Sequence, residues 1–314
     1  MQKRYLGLDI GGTKCAVSIG EIVDNGIKIL EREEIPTALP LDTLKRLQAF
    51  VDVWKEKYSP IRVGISCGGP LDQKLGKILT PPNLPSWHNF EIVVYVQKEW
   101  GLQAALENDA NACALAEWRY GAGQGTQNMV FCTFGTGLGA GLIINGKLYV
   151  GTNGNAGELG HMRLAKKGPI GYGKYGSFEG FCSGGGITRL AIDMGKRCKH
   201  MPKCIQEMGG YDKVTTKQLS QAAFLGDRFA KRVFEKSGEM LGYGLSTAID
   251  ILNPEKIVLG GVFMRASALL IPSMERVLKA ETLTSSLQVC EIVSAKLFEN
   301  VGDVAALTVA VETE

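Results

Sequence analysis

Two glycine-rich turns, each set between strand-like segments, constrain this chain more than any other feature. Tyr5–Ile10 is apolar and strand-like, Gly11-Gly12 interrupts it, and Cys15–Ile19 alternates as a second strand. Gly26 marks a further turn before a third strand near Ile27–Arg32. The same order returns later in the chain. Met129–Phe134 reads as a strand, Gly135–Gly141 as a glycine turn and Leu142–Ile144 as a strand. Asn145-Gly146 is a hairpin turn, and Lys147–Val150 is another strand. Identity between the two segments is slight, but the order of elements matches. Such a repeat predicts an α/β protein of two related halves, each opening with a three-stranded antiparallel meander. Glycine is the matching compositional outlier: it supplies 40 of 314 residues, and half of them lie between Gly121 and Gly186.

Between and after the meanders the pattern turns helical. Leu41, Leu44, Leu47, Val51, Trp54 and Tyr58 recur at helical spacing. Ile61–Ser66 is a short strand ending in Gly68-Gly69-Pro70, and Asn108–Tyr120 is an alanine-rich helix. Long helices are expected around Arg228–Leu252, stopped by Pro254, and Ile257–Leu259 is a strand ending in Gly260-Gly261. A terminal helix starts at Asp303, with Asp303 as its N-cap. The expected division is a smaller N-terminal lobe of residues 1–115 closed by 301–314, and a larger lobe of residues 116–300. No proline-rich, serine-rich or charged linker marks the boundary.

The charge balance of 35 basic and 32 acidic residues, with no long basic run, argues against a nucleic-acid partner. Asp9 and Lys14 break up any signal peptide, and Tyr120–Gly146, though uncharged, is too rich in glycine, Gln124, Asn128 and Asn145 to cross a bilayer. The expectation is a soluble cytoplasmic protein without a membrane partner. Of eight cysteines, five sit in apolar or glycine-rich runs as buried thiols, and disulfides are not expected. Cys198-Lys199-His200-x3-Cys204 is the one cluster with metal-ligand spacing. A solvated loop is the plainer reading, because no fourth ligand is evident.

The chemistry lies in the glycine turns. Gly135-x-Gly137-x-x-Ala140 matches a dinucleotide fingerprint, but hairpin sequence follows it where that fingerprint needs a helix. No G-x4-G-K-[ST] phosphate loop occurs either. Glycines between antiparallel strands let backbone amides approach an anion closely. The first turn adds Thr13 and Lys14, the second Thr136. Either alone is also what an ordinary hairpin turn looks like; the pair points to the phosphates of one nucleotide held between two lobes. Asp9, at the end of an apolar strand, suits a Mg2+ on those phosphates, or else accepts the turn's own amides. Asn108 or Asp109 could simply be the helix N-cap; alternatively, Asp109 is a base that accepts a hydroxyl proton during phosphoryl transfer. Glu158 and His161, three apart, suit vicinal hydroxyls or a metal ion. Asn83, in Pro81-Pro82-Asn83-Leu84-Pro85, offers an amide on a rigid turn or is simply a solvated loop residue.

Taken together, these segments resemble the ROK family of sugar kinases and sugar-sensing regulators over nearly the whole chain. The matching segments are Asp9-Ile-Gly11-Gly12-Thr13-Lys14, Pro82-Asn83-Leu84, Glu107-Asn108-Asp109-Ala-Asn-Ala112, Gly135-Thr136-Gly137-Leu-Gly-Ala-Gly141, Gly157-Glu158-Leu-Gly-His161 and Ile257-Val-Leu-Gly260-Gly261. The resemblance implies an actin-like, hexokinase-type fold: a duplicated ribonuclease H-like α/β unit in two lobes with a cleft between them. It implies ATP-dependent phosphorylation of a hexose, with Mg2+ arriving on the ATP phosphates. Asp109 would be the base. Asn83, Asn108, Glu158, His161 and Glu179 would contact the sugar, and Gly260 and Gly261 would lie near the adenosine. A homodimer or homotetramer is implied as well.

One departure stands out. The family often carries a zinc motif, C-x-C-G-x2-G-C-x-E, where this chain has Ile170, Tyr172 and Ser177 in the cysteine places. Ile cannot ligate zinc and His161 alone is insufficient, so no zinc is expected there. Packing of Tyr172, Tyr175 and Phe178 is expected to hold the segment instead. A sugar-responsive transcription regulator would need a DNA-binding segment ahead of the first strand. A sugar-binding protein without turnover is the other rival. Glucose is the favoured substrate because Glu158, His161 and Glu179 suit a ring with several free hydroxyls; N-acetylmannosamine, N-acetylglucosamine, allose and fructose are the alternatives.

Overall fold

The first meander consists of β1 (Arg4–Ile10), β2 (Lys14–Val23) and β3 (Gly26–Pro36), paired antiparallel with Ile10 opposite Cys15. The computed structural model describes residues 2–24, 26–297 and 301–314. Helix α1 (Pro40–Tyr58) buries Leu44, Leu47, Val51 and Trp54, the stripe its spacing predicts. Strands β4 (Arg62–Cys67) and β5 (Gln103–Asn108) then join in parallel, giving the sheet order β3-β2-β1-β4-β5. Helix α2 (Asp109–Tyr120) follows β5 directly.

The second sheet repeats that order. Its strands are β6 (Met129–Phe134), β7 (Leu138–Ile144), β8 (Lys147–Leu148), β9 (Lys256–Leu259) and β10 (Glu291–Ser294), arranged β8-β7-β6-β9-β10. As in the first sheet, the fourth strand runs parallel to both of its neighbours. The glycine turn is shorter than the sequence suggests, because Leu138–Gly141 already belong to β7. The third strand is shorter too, ending at Leu148. Helices α3 (Phe178–Cys182), α4 (Gly184–Lys196), α5 (Arg228–Leu252) and α6 (Val262–Glu281) accompany this sheet. Asp227 caps α5 by accepting the Ala230 amide at 2.8 Å, and Asn253, in the left-handed region, ends it just before Pro254.

The chain folds into two compact units. One comprises Met1–Gln127, Gly141–Ala156 and Lys296–Glu314; the other comprises Asn128–Ala140 and Gly157–Ala295. In the first, α7 (Val301–Glu312) lies on the sheet, buried from Asp303 to Ala310. A Cβ at Gly64 would overlap the Ala306 carbonyl, so only glycine lets α7 approach so closely. The returning segment is clamped by Glu117, which is fully buried. Its carboxylate accepts the amides of Ala122 (2.8 Å), Lys296 (2.9 Å) and Leu297 (2.8 Å). Because α7 begins at Val301, Asp303 lies inside its first turn and is not the N-cap; Arg32 Nε donates to it at 2.7 Å. All eight cysteines are free thiols. Among the described residues no helix is long and apolar enough to cross a membrane.

Candidate functional site

In the first unit, the expected residues gather at the carboxyl ends of β1, β4 and β5. The turn after β1 closes on itself: the Gly11 amide donates to the Lys14 carbonyl at 3.0 Å. Thr37 fastens it from behind, its hydroxyl donating to the Gly11 carbonyl (2.7 Å) and its amide to the Thr13 carbonyl (2.9 Å). The carbonyls are thus consumed, while among the described residues the exposed amides of Gly12 and Thr13 donate to nothing. Free adjacent amides of this kind make an anion-binding concavity. Lys14 is engaged elsewhere, with its Nζ 2.6 Å from Glu34 Oε1. Gly12 presses on the exposed Asn83: a Cβ there would stand 2.7 Å from the Asn83 carbonyl oxygen.

The cap question resolves in favour of Asn108, whose Oδ1 accepts the amides of Ala110 (3.0 Å) and Asn111 (3.3 Å). Asp109, the first residue of α2, accepts the Ala110 amide at 2.8 Å. Crowding by surrounding protein raises its pKa against the pull of these amides. Its surface is open to water, and solvent screening limits the size of that shift. Asp9 is half-buried and shifts further, to about 7, mainly through burial and then through the carboxylates of Asp303 and Asp109; Arg32 and a hydrogen bond with Ser66 oppose the rise. Gly302 leaves room for it, since a Cβ there would lie 2.6 Å from Asp9 Oδ2. Oxygen donors short of positive charge suit a hard cation such as Mg2+. Among the described residues no group of three or more His, Cys, Asp or Glu is placed to hold a metal ion.

In the second unit the corresponding turn is Gly135-Thr136-Gly137, between β6 and β7. It is fastened by α4, whose first amides, Gly184 and Gly185, donate to the carbonyls of Gly135 (2.8 Å) and Thr136 (3.3 Å). Ser183 caps that helix, accepting the Gly186 amide at 2.9 Å. Glu179 Oε2 accepts the Leu138 amide at 3.0 Å and would stand 2.7 Å from a Cβ on Gly137. Gly261, at φ +67°, abuts the Phe134 carbonyl, and the Gly260 amide donates to Cys132 at 2.8 Å. The unit therefore brings Thr136, Gly137, Glu179, Gly260 and Gly261 together. Glu158 and His161 flank a single 3-10 turn, joined by the His161 amide donating to the Glu158 carbonyl at 3.1 Å, and both are exposed. The Phe178 amide donates to Met162 at 2.8 Å, which links this turn to the helix of Glu179.

The segment with the substituted cysteine places is packed by Phe178 more than by its tyrosines, although the Tyr172 ring meets the His161 ring edge-on at 6.1 Å. Tyr172 and Tyr175 are exposed, at 64% and 60%, and only Phe178 is buried. Tyr172 sits at the tip of a two-residue hairpin, Ile170–Gly171 against Lys174–Tyr175, from which a ring cannot reach the core. Backbone bonds also hold the segment: Gly176 accepts the amides of Leu164 (2.9 Å) and Ala165 (3.1 Å) and donates to Pro169 (3.0 Å). Ser177 is buried and accepts the Gly180 amide at 3.1 Å. Of the other suspected ligand cluster, Cys198 is exposed while Cys204 is buried.

Sequence reasoning overlooked Ser183–Gly186 and Gly302, and gave Glu107 no role of its own. The run Ser183-Gly-Gly-Gly186 before an apolar helix was the available signal for the first. Glu107, which accepts the Asn108 amide (2.8 Å) and Asn111 Nδ2 (2.9 Å), shapes the turn that carries Asn108 and Asp109.

The chain is similar to known proteins over nearly its whole length. A family model described as "ROK family" matches residues 5–312. A glucokinase of Thermotoga maritima is 31% identical over 313 residues, covering 98% of each chain. The crystal structure of a glucokinase from Streptomyces griseus in complex with glucose and AMPPNP superposes with a TM-score of 0.79 at 29% identity, covering 98% of this chain and 99% of that one. The transcriptional regulator NagC of Escherichia coli is 27% identical, over 88% of this chain and 68% of its own length.

Proposed function

This chain belongs to the ROK family and has its actin-like, hexokinase-type fold, and from that premise we propose that it is an ATP-dependent hexose kinase. It transfers the γ-phosphoryl group to the C6 hydroxyl, with glucose as the favoured sugar. One observation carries the reading: each unit has a glycine turn whose carbonyls are tied back, the Gly12 and Thr13 amides of the first donate to nothing among the described residues, and the first unit adds a carboxylate at the start of a helix.

In this reading the amides of Gly12, Thr13, Thr136 and Gly137 and the two threonine hydroxyls serve the phosphates of one ATP. Gly260 and Gly261 border its adenosine. Asp9 is the carboxylate that would help hold a Mg2+ on those phosphates, and such an ion would supply neutralisation of their charge. Asn83, Asn108, Glu158, His161 and Glu179 orient the sugar hydroxyls. Asp109 accepts the proton of the attacking hydroxyl, and its raised pKa makes it a stronger base than a free aspartate. Positioning and charge stabilisation supply the rest of the rate.

Coupled ADP release measured across glucose, fructose, allose, N-acetylglucosamine and N-acetylmannosamine tests the proposal. Glucose is expected to give the highest kcat/KM. Sugar binding without ADP release from any of them would leave a binding protein or regulator as the correct reading.

A further inference from the structure

A second binding feature lies wholly within the second unit, away from its glycine turn residues: a cavity of about 590 Å3. Its lining includes Arg163, Lys166, Lys167, Lys196 and Arg197 against one carboxylate, Asp193. Five cations and one anion leave +4 in a single hollow, in a chain whose formal total is +3. Among the described residues none of the five forms an ion pair. Arg163 spends one N–H on the Tyr175 carbonyl at 2.9 Å, and Lys196 lies 5.9 Å from the Tyr211 ring centre. Lys196 and Arg197 close α4, where the helix dipole favours cations. Lys166 and Lys167 come from a different segment, and no helix end accounts for them. An adjoining hollow of about 160 Å3 adds Arg189 to the same wall.

We propose that this cavity binds a compact anion carrying two or more phosphate groups. Its volume falls in the range of small-molecule sites, about 300–1,000 Å3. Guanidinium forks and ammonium groups converging from two segments match clustered phosphate oxygens, and one such ligand relieves the mutual repulsion of the five cations. The inference does not depend on the kinase reading, because no residue assigned to ATP or sugar lines the cavity.

Isothermal titration of inorganic tripolyphosphate into the full chain tests it, the cavity's share being the binding that the charge reversals below remove. That share is expected to be one tripolyphosphate per chain, bound more tightly than orthophosphate. Lys167→Glu and Arg197→Glu should each weaken binding at least tenfold, while Lys199→Glu, a nearby exposed charge reversal off the lining, should not. All three side chains are exposed, so the variants keep the fold. Absence of binding, indifference to both reversals, or orthophosphate binding equally well overturns the proposal. Tighter binding of a single-stranded oligonucleotide through the same residues would assign the surface to nucleic acid and overturn it too.

Discussion

The two glycine turns share a topology and differ in what stands around them. The first is closed by its own Gly11–Lys14 bond and fastened by Thr37; the second is fastened by the amino end of α4. The carboxylates are also unequally shared. Asp9 lies two residues before Gly11, and the residue in that position before Gly135 is Thr133. Asn108 and Asp109 end and follow β5, where Ser294 and Ala295 end and follow β10. Under the proposed function, a repeated scaffold carries the carboxylates in one copy and mainly amide donors in the other, so a fold repeat need not repeat a site.

The largest test of that asymmetry is Asp109→Asn, expected to lower kcat at least ~100-fold, the scale of a lost general base. Thr133→Val, at the counterpart of Asp9, should leave kcat close to wild type. A large loss there would break the comparison. Next come the glycines. A Cβ at Gly12 meets a backbone carbonyl, whereas one at Gly137 meets the movable end of Glu179. Gly12→Ala should cost about 2 kcal/mol of stability, as overpacking does. Gly137→Ala should cost less in chemical denaturation and instead raise the KM for the sugar. Equal stability losses would show that the two turns are equally rigid.

Asp9→Asn should reduce kcat about tenfold or more, the scale of one charge-assisted contact, while raising the thermal midpoint at pH 8. The sign follows from its pKa: 3.8 is the ordinary value and about 7 the value in the fold. The unfolded chain gives up the proton first, so this group's contribution to stability falls as pH rises from about 4 to 7. Asparagine cannot ionise, so its advantage should shrink toward pH 4. A gap that stays constant between pH 8 and pH 4 contradicts the shift. The smallest effect belongs to Ser183→Ala, which removes the cap of α4 at about 1 kcal/mol. It should raise the KM for ATP more than that for sugar.

Much of this arrangement was legible because it is local. The 25-residue helix α5 announces itself by period and by Pro254, and the stripe of α1 names its own core residues. What was missed depends on partners distant in the chain. Lys14 looks free until the pairing of β2 with β3 brings Glu34 near it. Asp303 resembles a cap until Arg32 reaches it across 271 residues. Tyr172 and Tyr175 are apolar enough to suggest packing, yet a two-residue hairpin turns both outward. The work of Ser183 is visible only once α4 is seen to end on the carbonyls of Gly135 and Thr136.

The position of α7 bears on synthesis. During translation, β1 to β5 leave the ribosome long before the residues that cover Gly64 and bury Leu307 and Ala310. Until α7 arrives, the amino-terminal sheet exposes a bare apolar face, open to chaperones, proteases and neighbouring nascent chains. A frameshift or premature stop ahead of Val301 would therefore do its damage far back in the chain, by leaving the oldest part of the polypeptide unfinished.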